Sequence, residues 1–225
     1  MKFFKIVFIK NFAIIKLESE SSSSFIMKKE IKEIEKDLEF VKNIYIKLLT
    51  ILPSFDITDS KILPYGLKAH TRSVSWLVEQ VITQQTKYNA KKLGLDRVNF
   101  DFPDTSLHDC EIIYKSKSYF VNVKIHNVES KENKNDISAV EKLYFQYNVN
   151  KNYTLIYACF GIKFENIKIS FAKDYLEIFS PQFLPIYVNP RNDKIQATYR
   201  HDKVHRTRGE FLKTLKEKSK SIILK

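Results

Sequence analysis

The sequence predicts an α/β fold with a mixed central β-sheet and helices packed on its faces. Segments with apolar residues three and four positions apart alternate with runs rich in β-branched and aromatic residues. Their order is helix, helix, β-hairpin, helix, two strands, an irregular arm and a last helix, which is typical of a sheet covered by helices. The 225 residues, 44% of them hydrophobic, suffice for one large domain, which we place at residues 27–225.

Residues 1–26 are expected to be an extension outside this domain. They begin like a secretion signal, but Lys5, Lys10 and Lys16 interrupt the apolar run that such a signal requires. Met27 then opens a helical pattern directly after a run of serines. The sequence holds no stretch of about 20 apolar residues, the length that a membrane-spanning helix needs, so no spanning helix is expected and we predict no membrane partner.

Two helices are predicted before the first strand. The segment Lys28–Leu52 has helical apolar spacing, and Pro53 ends it. Residues 71–94 form the second helix, for which Gly94 suits a C-terminal cap. The apolar side of that helix consists of Val74, Leu77, Val78, Val81 and Ile82.

The pattern changes to β after Pro103. Residues 110–115 and 118–127 indicate two antiparallel strands joined by a short polar turn around Ser116–Lys117. The sequence then predicts a polar loop at 130–136, a helix at 137–149, a mostly apolar central strand at 153–164, and a strand followed by a short helix or turn at 166–179.

The C-terminal part is predicted to be an extended, proline-bounded arm followed by a basic helix. The arm covers residues 180–206. Thr207 is well placed as the N-cap of the last helix, and Glu210 stands at its third position, so that the two can form a capping box.

The composition excludes several cofactor classes. Four glycines cannot supply a phosphate-binding loop, so neither ATP nor NAD chemistry is expected. Cys110 and Cys159 offer neither a zinc quartet nor a disulfide framework. We expect two buried free thiols, which suits a protein of the reducing cytoplasm.

The charge balance points to a polyanionic partner. The 38 lysines and arginines exceed the 26 acidic residues, giving a net charge of +12. Such an excess creates a positive field suited to nucleic acid or to an acidic membrane face. A lysine-rich coding bias would produce the same composition, so the charge alone does not decide between these interpretations.

The predicted hairpin carries the candidate chemistry. Asp109 enters its first strand, and Lys124 follows 15 residues later on the second strand, with Asn122 on the same side as Lys124. Acidic groups from neighbouring strands can hold a divalent cation on a phosphodiester, while a lysine beside them orients water and offsets negative charge. The alternative is an ordinary surface hairpin, in which Lys124 prevents pairing at an edge strand.

This spacing resembles the PD-(D/E)xK nuclease superfamily, and in particular type II restriction endonucleases. In these enzymes a helix before the first acidic strand often carries a glutamate that faces the metal, and Glu79 stands in that place. The start of the last helix, "HRTRGEFLKTL", resembles an Arg/Thr-rich helix start of several restriction enzymes. The resemblance implies a restriction-endonuclease-like fold, with Asp109, Asn122 and Glu79 around Mg²⁺ and Lys124 activating the attacking water.

Two positions depart from the family pattern. The letters "PD" occur at Pro103–Asp104, so either Asp104 or Asp109 could be the first acid; we prefer Asp109 because it abuts the strand. Asn122 replaces the second acid, and an amide oxygen binds Mg²⁺ less strongly than a carboxylate. Glu141 from the following helix, or Glu79, could supply the missing acid.

Two polar segments are predicted to contact DNA, with flexible surface structure as the alternative. Amides read adenine edges in the major groove, while lysines and arginines hold phosphates. The predicted contacts are Gln84, Gln85, Lys87 and Asn89 on the second helix, and Asn189, Arg191, Asn192, Arg200, Arg206 and Arg208 on the arm.

The resemblance implies a Mg²⁺-dependent enzyme that cuts double-stranded DNA at a short sequence and leaves 5′-phosphate ends. It further implies a homodimer on a palindromic site and a cognate DNA methyltransferase as functional partner. Two alternatives stay open. One is a non-catalytic DNA-binding protein on a degenerate nuclease fold, and the other is a structure-specific repair or nicking nuclease.

Overall fold

The structure, a computed structural model, describes residues 27–65, 71–103, 105–130, 134–198 and 203–219. The chain divides into two compact units, Met1–Lys36 and Asp37–Lys225. In the first unit the described residues are helical. The sheets and the site belong to the second unit, and the predicted domain start at residue 27 stays a prediction.

The helices follow the predicted apolar spacing. The second predicted helix is interrupted at Asn89, whose side-chain amide donates to the carbonyl of Gln85 at 2.9 Å, a local bond that competes with regular helix structure. Gly94 caps the continuation with φ 77°, as predicted. The helices are α1 (27–49), α2 (Thr71–Tyr88), α3 (Ala90–Leu93), α4 (Val140–Val149) and α5 (Arg208–Lys218).

A six-stranded mixed sheet forms the centre of the second unit, which confirms the predicted fold class. Its order is β1-β7-β6-β4-β3-β2; β4 and β6 run parallel, and the other neighbours run antiparallel. The strands are β1 (Phe55–Asp56), β2 (Arg97–Asn99), β3 (Cys110–Tyr114), β4 (Lys117–Asn127), β6 (Leu155–Glu165) and β7 (Lys168–Phe179).

A second sheet has three antiparallel strands in the order β5-β9-β8. They are β5 (Lys134–Ala139), β8 (Tyr187–Asn189) and β9 (Lys194–Thr198), with a short 3-10 helix at Pro181–Phe183 before β8. The predicted arm therefore contains a hairpin, formed by β8 and β9. The polar loop and helix start predicted at 130–139 are wrong in part, because Lys134–Ala139 pairs with β9.

The chain from 166 to 179 also differs from its prediction. β7 continues to Phe179, where a short helix or turn was expected, because its second half pairs with β6 from Tyr157↔Phe179 to Phe160↔Leu176. Cross-strand packing thus overrides a local pattern that fits a helix equally well.

The predicted hairpin is present, with its turn at Lys115 and Ser116. Both residues have positive φ, 47° and 61°. This is the backbone of a two-residue turn whose twist matches that of the flanking strands. The turn sets the register of β3 on β4, which ends at Cys110↔Val121.

The two faces of the central sheet have separate cores. Tyr45 of α1 lies on one face, with its hydroxyl 3.6 Å from Cys110 Sγ and its ring edge-on to Phe160. The other face carries a cluster that includes Tyr157 and Cys159 of β6 together with residues of α4 and α5. Parallel partners project to the same face, so Asn122 and Lys124, the partners of Tyr157 and Cys159, begin on the α4 and α5 side.

The last helix begins as predicted. Thr207 is its N-cap, and both halves of the capping box with Glu210 are formed. Phe211 and Leu215 are fully buried in the cluster on that face of the sheet. Burial of two such side chains stabilises the fold by roughly 3–6 kcal/mol in transfer free energy.

Cys110 and Cys159 are buried free thiols, as predicted. Within the described ranges, the helices are too short or too polar to cross a membrane. The predicted extension 1–26 lies outside the described residues.

Candidate active site

The candidate site lies where β3 and β4 part. After the pair Cys110↔Val121, the Asp109 N–H still donates to Val121 O at 2.9 Å. One step further along that edge, the Val123 N–H donates to Asp109 Oδ2 at 2.6 Å. The carboxylate of Asp109 therefore takes the place of a pairing strand and is fixed at the edge of β4.

Lys124 and Glu79 meet at this edge. Lys124 Nζ donates to Val123 O at 2.8 Å and lies 3.4 Å from Glu79 Oε1. The N–H and C=O of one strand residue point the same way, so Val123 O faces the side on which Asp109 lies. The Lys124 and Glu79 side chains are 24% and 19% exposed. The structure thus brings the predicted trio of Glu79, Asp109 and Lys124 together.

The pKa values of both carboxyl groups are raised in the folded chain. Burial raises the pKa of Asp109, while the Lys124 charge and the Val123 N–H act in the opposite direction. Burial also raises the pKa of Glu79; Lys124 lowers it, and the negative charge of Asp109 raises it further. Two partly buried acids therefore share one lysine, and their negative charge is incompletely compensated.

Asn122 is held beside Asp109. Extending the hairpin register by one residue places Asp109 opposite Asn122. Asn122 Nδ2 donates to the carbonyl of Leu107 at 2.9 Å, which ties the segment before Asp109 to β4. Asn122 Oδ1 is buried and accepts no hydrogen bond from the described residues, and Asn122 as a whole is only 8% exposed. A carboxylate at position 122 could not donate the bond to the Leu107 carbonyl, because it carries no N–H group.

These observations define what the site could hold. Asp109, Glu79 and Asn122 present oxygen atoms, which are the ligands that hard divalent cations prefer. In the described ranges, no three His, Cys, Asp or Glu side chains form a metal-binding group by themselves. The buried acceptor of Asn122 and the two acids with raised pKa values fit a divalent cation, because such an ion would satisfy the amide oxygen and offset both charges.

The sheet also brings Glu177 towards the site, which the sequence did not indicate. Cys159 is the β6 partner of Lys124 on one side and of Glu177 on the other. The charges of Lys124, Glu177 and Glu79 all influence the Cys159 thiol, whose pKa is raised chiefly by burial. Only the pairing of β6 with β7 reveals this row, and that part of β7 was predicted as a helix or turn.

The two alternative acids, and His108 next to Asp109, have different surroundings. Glu141, the alternative acid, is exposed in the first turn of α4. His108 packs against Phe102, and its Nδ1 lies 3.3 Å from the Tyr153 hydroxyl. Asp104, the alternative first acid, lies outside the described residues.

The predicted DNA contacts on the second helix lie on or next to its exposed side. Gln84 and Lys87 are exposed, while Gln85 and Asn89 are half-buried and hydrogen-bonded to each other. Lys87 Nζ lies 4.9 Å from the centre of the Phe100 ring. Their role in DNA binding stays a prediction.

The predicted contacts on the arm fall into two groups. Arg191 is exposed in the turn between β8 and β9, where Asn189 Oδ1 accepts from its N–H. Asn192 in the same turn donates to Asp136 Oδ2 at 2.8 Å. Arg200 lies outside the described residues.

The second group, Arg206 and Arg208, donates to main-chain carbonyls of segments that are distant in sequence. Arg206 donates to Leu184 O at 2.6 Å, and Gln182 returns a bond to Arg206 O at 2.7 Å. Arg208 donates to Tyr147 O, Asn150 O and Tyr153 O and lies over the Tyr147 ring. These guanidinium groups donate hydrogen bonds to main-chain carbonyls at the end of α4 and before β8, and so satisfy these acceptors.

The comparisons with known proteins find similarity among solved structures. No family model matches the chain, and no curated protein matches it. Among solved structures the chain is similar to one titled NlaIV restriction endonuclease, with a TM-score of 0.46 and 13% identity over 65% of this chain and 67% of that chain. At this identity the chemistry of the candidate site has to be judged from its own side chains.

Proposed function

We propose that the protein is a Mg²⁺-dependent endonuclease that hydrolyses phosphodiester bonds of double-stranded DNA at a short specific sequence, as type II restriction endonucleases do. The observation that carries this proposal is the meeting of Glu79, Asp109 and Lys124 at the unpaired edge of β4. Two partly buried acids and one amine at a strand edge are what phosphodiester hydrolysis requires of a protein.

Asp109, Glu79 and the amide oxygen of Asn122 are the groups that would hold the cation. When bound, Mg²⁺ polarises the scissile phosphate and lowers the pKa of a water molecule. Asp109 is the anchor of this set, because its second oxygen is fixed by the Val123 N–H. Asn122 adds an oxygen without adding a third negative charge to two acids that already repel each other.

Lys124 would act on the attacking water and on the developing charge of the phosphate. Its amine is held by Val123 O, which is part of the sheet and does not depend on the substrate. A cationic donor fixed in advance stabilises charge that appears in the transition state without reorganising at that moment. Its bond to Glu79 keeps the amine among the groups proposed to hold the cation.

We expect double-stranded DNA as the substrate of a dimeric enzyme. The net charge of +12 supports a nucleic-acid partner. A palindromic duplex presents two equivalent strands, so we expect a two-fold dimer that leaves 5′-phosphate ends. A cognate DNA methyltransferase would protect the host sequence, and the enzyme would act in the cytoplasm.

A plasmid assay tests the reaction. Purified protein is incubated with supercoiled plasmid, with and without Mg²⁺, and the products are separated on a gel. Discrete fragments that form only with Mg²⁺ are expected. Nicked circles would instead indicate a structure-specific nuclease, and a random smear would contradict sequence specificity.

The variant Lys124→Ala tests the site. We expect cleavage to fall by at least ~10²-fold, because the fixed amine is lost, while DNA retardation on a gel changes little. Lys163→Ala is the matched control, since Lys163 is an exposed lysine on β6. Equal cleavage by the Lys124→Ala variant and the wild type would refute the assignment.

One observation favours a second function. The Asn122 amide donates to Leu107 O, so the position of the family's second acid serves to hold a loop. A DNA-binding protein that has lost catalysis would keep such a bond and lack the acid. Intact but retarded plasmid at every Mg²⁺ concentration would favour this function over cleavage.

A further inference from the structure

Trp76 is exposed beside the candidate site. Its side chain is 70% exposed, and it is the only tryptophan of the chain. Trp76 precedes Glu79 by three residues on α2, so the two side chains lie about 60° apart around the helix and about 4.5 Å apart along it. Since Glu79 contacts Lys124, the indole is on the flank of α2 that borders the site.

The described residues that follow Trp76 on the outward side of α2 do not form the apolar centre of a protein interface. The outward residues that follow it on α2 are Gln80, Gln84 and Lys87, which are half-buried or exposed and polar. A large aromatic ring within a polar surface that also carries a lysine is suited to packing against a sugar or an unstacked nucleobase, with the lysine on the backbone.

We propose that Trp76 contacts the nucleic acid that enters the site, placing its indole against a base or sugar next to the scissile phosphate. The inference rests on the proposed function. In this arrangement α2 has two functions. Glu79 faces the reacting phosphate, and Trp76, about one turn earlier, contacts the adjoining nucleotide. Lys87, three turns later on nearly the same side, would meet the backbone further along.

Because Trp76 is the only tryptophan, its fluorescence reports this contact directly. Emission is excited at the red edge of the absorption band, where tyrosine contributes little, and linearised plasmid DNA is added with Mg²⁺ withheld so that the DNA stays intact. We expect emission to fall on DNA binding, and the indole to become protected from a soluble quencher.

Affinity measurements with two variants complete the test. Trp76→Ala should weaken DNA binding by ~10-fold or more, and Trp76→Phe should recover part of the loss, as expected for stacking. Tyr88→Ala is the control, because Tyr88 is 85% exposed on the same helix but lies about 180° around the axis from Glu79. Its affinity should equal that of the wild type.

Three outcomes would overturn the inference. Gel retardation without any change of emission would refute it and leave the proposed function intact. An emission change that follows protein concentration, and not DNA, would assign Trp76 to a contact between two copies of the chain. A wild-type protein that does not retard DNA would refute both this inference and the proposed function.

Discussion

The two halves of β4 differ in what occupies their edges. The first half, up to Val121, pairs with β3 through a tight turn. The second half, from Asn122 to Asn127, pairs with β6 on one side, while the side chains of Asp109 and Lys124 meet the other edge. A strand that loses its neighbour leaves main-chain groups that need partners, and side chains that supply them are held in place by the sheet itself.

Because of this difference, main-chain groups of the sheet hold side chains of the candidate site. The Val123 N–H fixes the acid, and the Val123 carbonyl fixes the amine. One residue of β4 therefore positions two groups of opposite charge. Variants in the second half of β4, and variants of the groups that replace its missing neighbour, test whether the sheet holds the site.

The largest effect on stability is expected from Gly161→Ala. Gly161 is the partner of His126, and a Cβ there would lie 2.5 Å from Tyr175 Cβ and 2.8 Å from Val128 Cγ1. Overpacking of this kind costs about 1–3 kcal/mol, and would also disturb the His126 ring stacked on Tyr175. Thermal unfolding should show a melting temperature lower by several degrees.

Gly209→Ala is the matched control for that variant. A Cβ at Gly209, in the first turn of α5, meets no atom within 4 Å. Alanine is the better helix former, so a gain of about 0.5–1 kcal/mol is expected. Equal melting temperatures of Gly161→Ala and the wild type would show that the second half of β4 tolerates repacking.

An effect of similar size is expected from Asn122→Asp, which introduces a third acid. The variant loses the bond to Leu107 O and places a third charge beside Asp109, so without metal it should be less stable by about 1–3 kcal/mol. Mg²⁺ should return much of this loss, since a ligand that binds only the folded state stabilises it. Unfolding curves with and without Mg²⁺ measure both effects.

Asn122→Ala separates the two contributions. It removes the bond to Leu107 without adding charge, so its stability should fall by a similar amount but should respond less to Mg²⁺. If Asn122→Asp proves as stable as the wild type without metal, the bond to Leu107 does not hold the segment of Asp109.

The smallest effect concerns pH. The pKa values of Asp109 and Glu79 are raised in the folded chain, chiefly by burial. The stability that these groups contribute is complete below their ordinary pKa values and is lost as pH rises through the raised ones, because the folded state binds more protons in that window. Metal-free stability should therefore decline with rising pH in the mildly acidic range.

The double variant Glu79→Gln, Asp109→Asn tests this decline. It removes both titrating groups, so its stability should depend less steeply on pH over the same range. Denaturant midpoints at a series of pH values are the measurement. Parallel pH profiles for the variant and the wild type would place the dependence in other groups.

Much of the site was predictable because it follows short-range geometry. The alternation of side chains placed Asn122 and Lys124 on one side of β4, and the helical spacing of α2 left Glu79 off the buried stripe. The capping box at Thr207 follows from two residues three positions apart. Such features depend on a few neighbours in the chain.

The rest depends on partners that are distant in sequence. The polar residues of β5 form a strand only because β9 pairs with them. Arg206 and Arg208 fit a DNA-binding arm by composition, but the carbonyls of Leu184 and Tyr147 engage them. Sequence spacing also could not show that the amide of Asn122 ties down Leu107, because that bond depends on the path of a loop.

The two buried thiols can report transient opening of the central sheet. Burial raises the pKa of Cys110 to about 12, and Cys159 lies fully enclosed between the strands of Lys124 and Glu177. Neither sulfur is a thiolate at neutral pH, so an alkylating reagent reacts only when the surrounding strands separate. The alkylation rates of Cys110 on β3 and of Cys159 on β6 therefore measure how often the sheet opens on either side of β4. No engineered tag is needed.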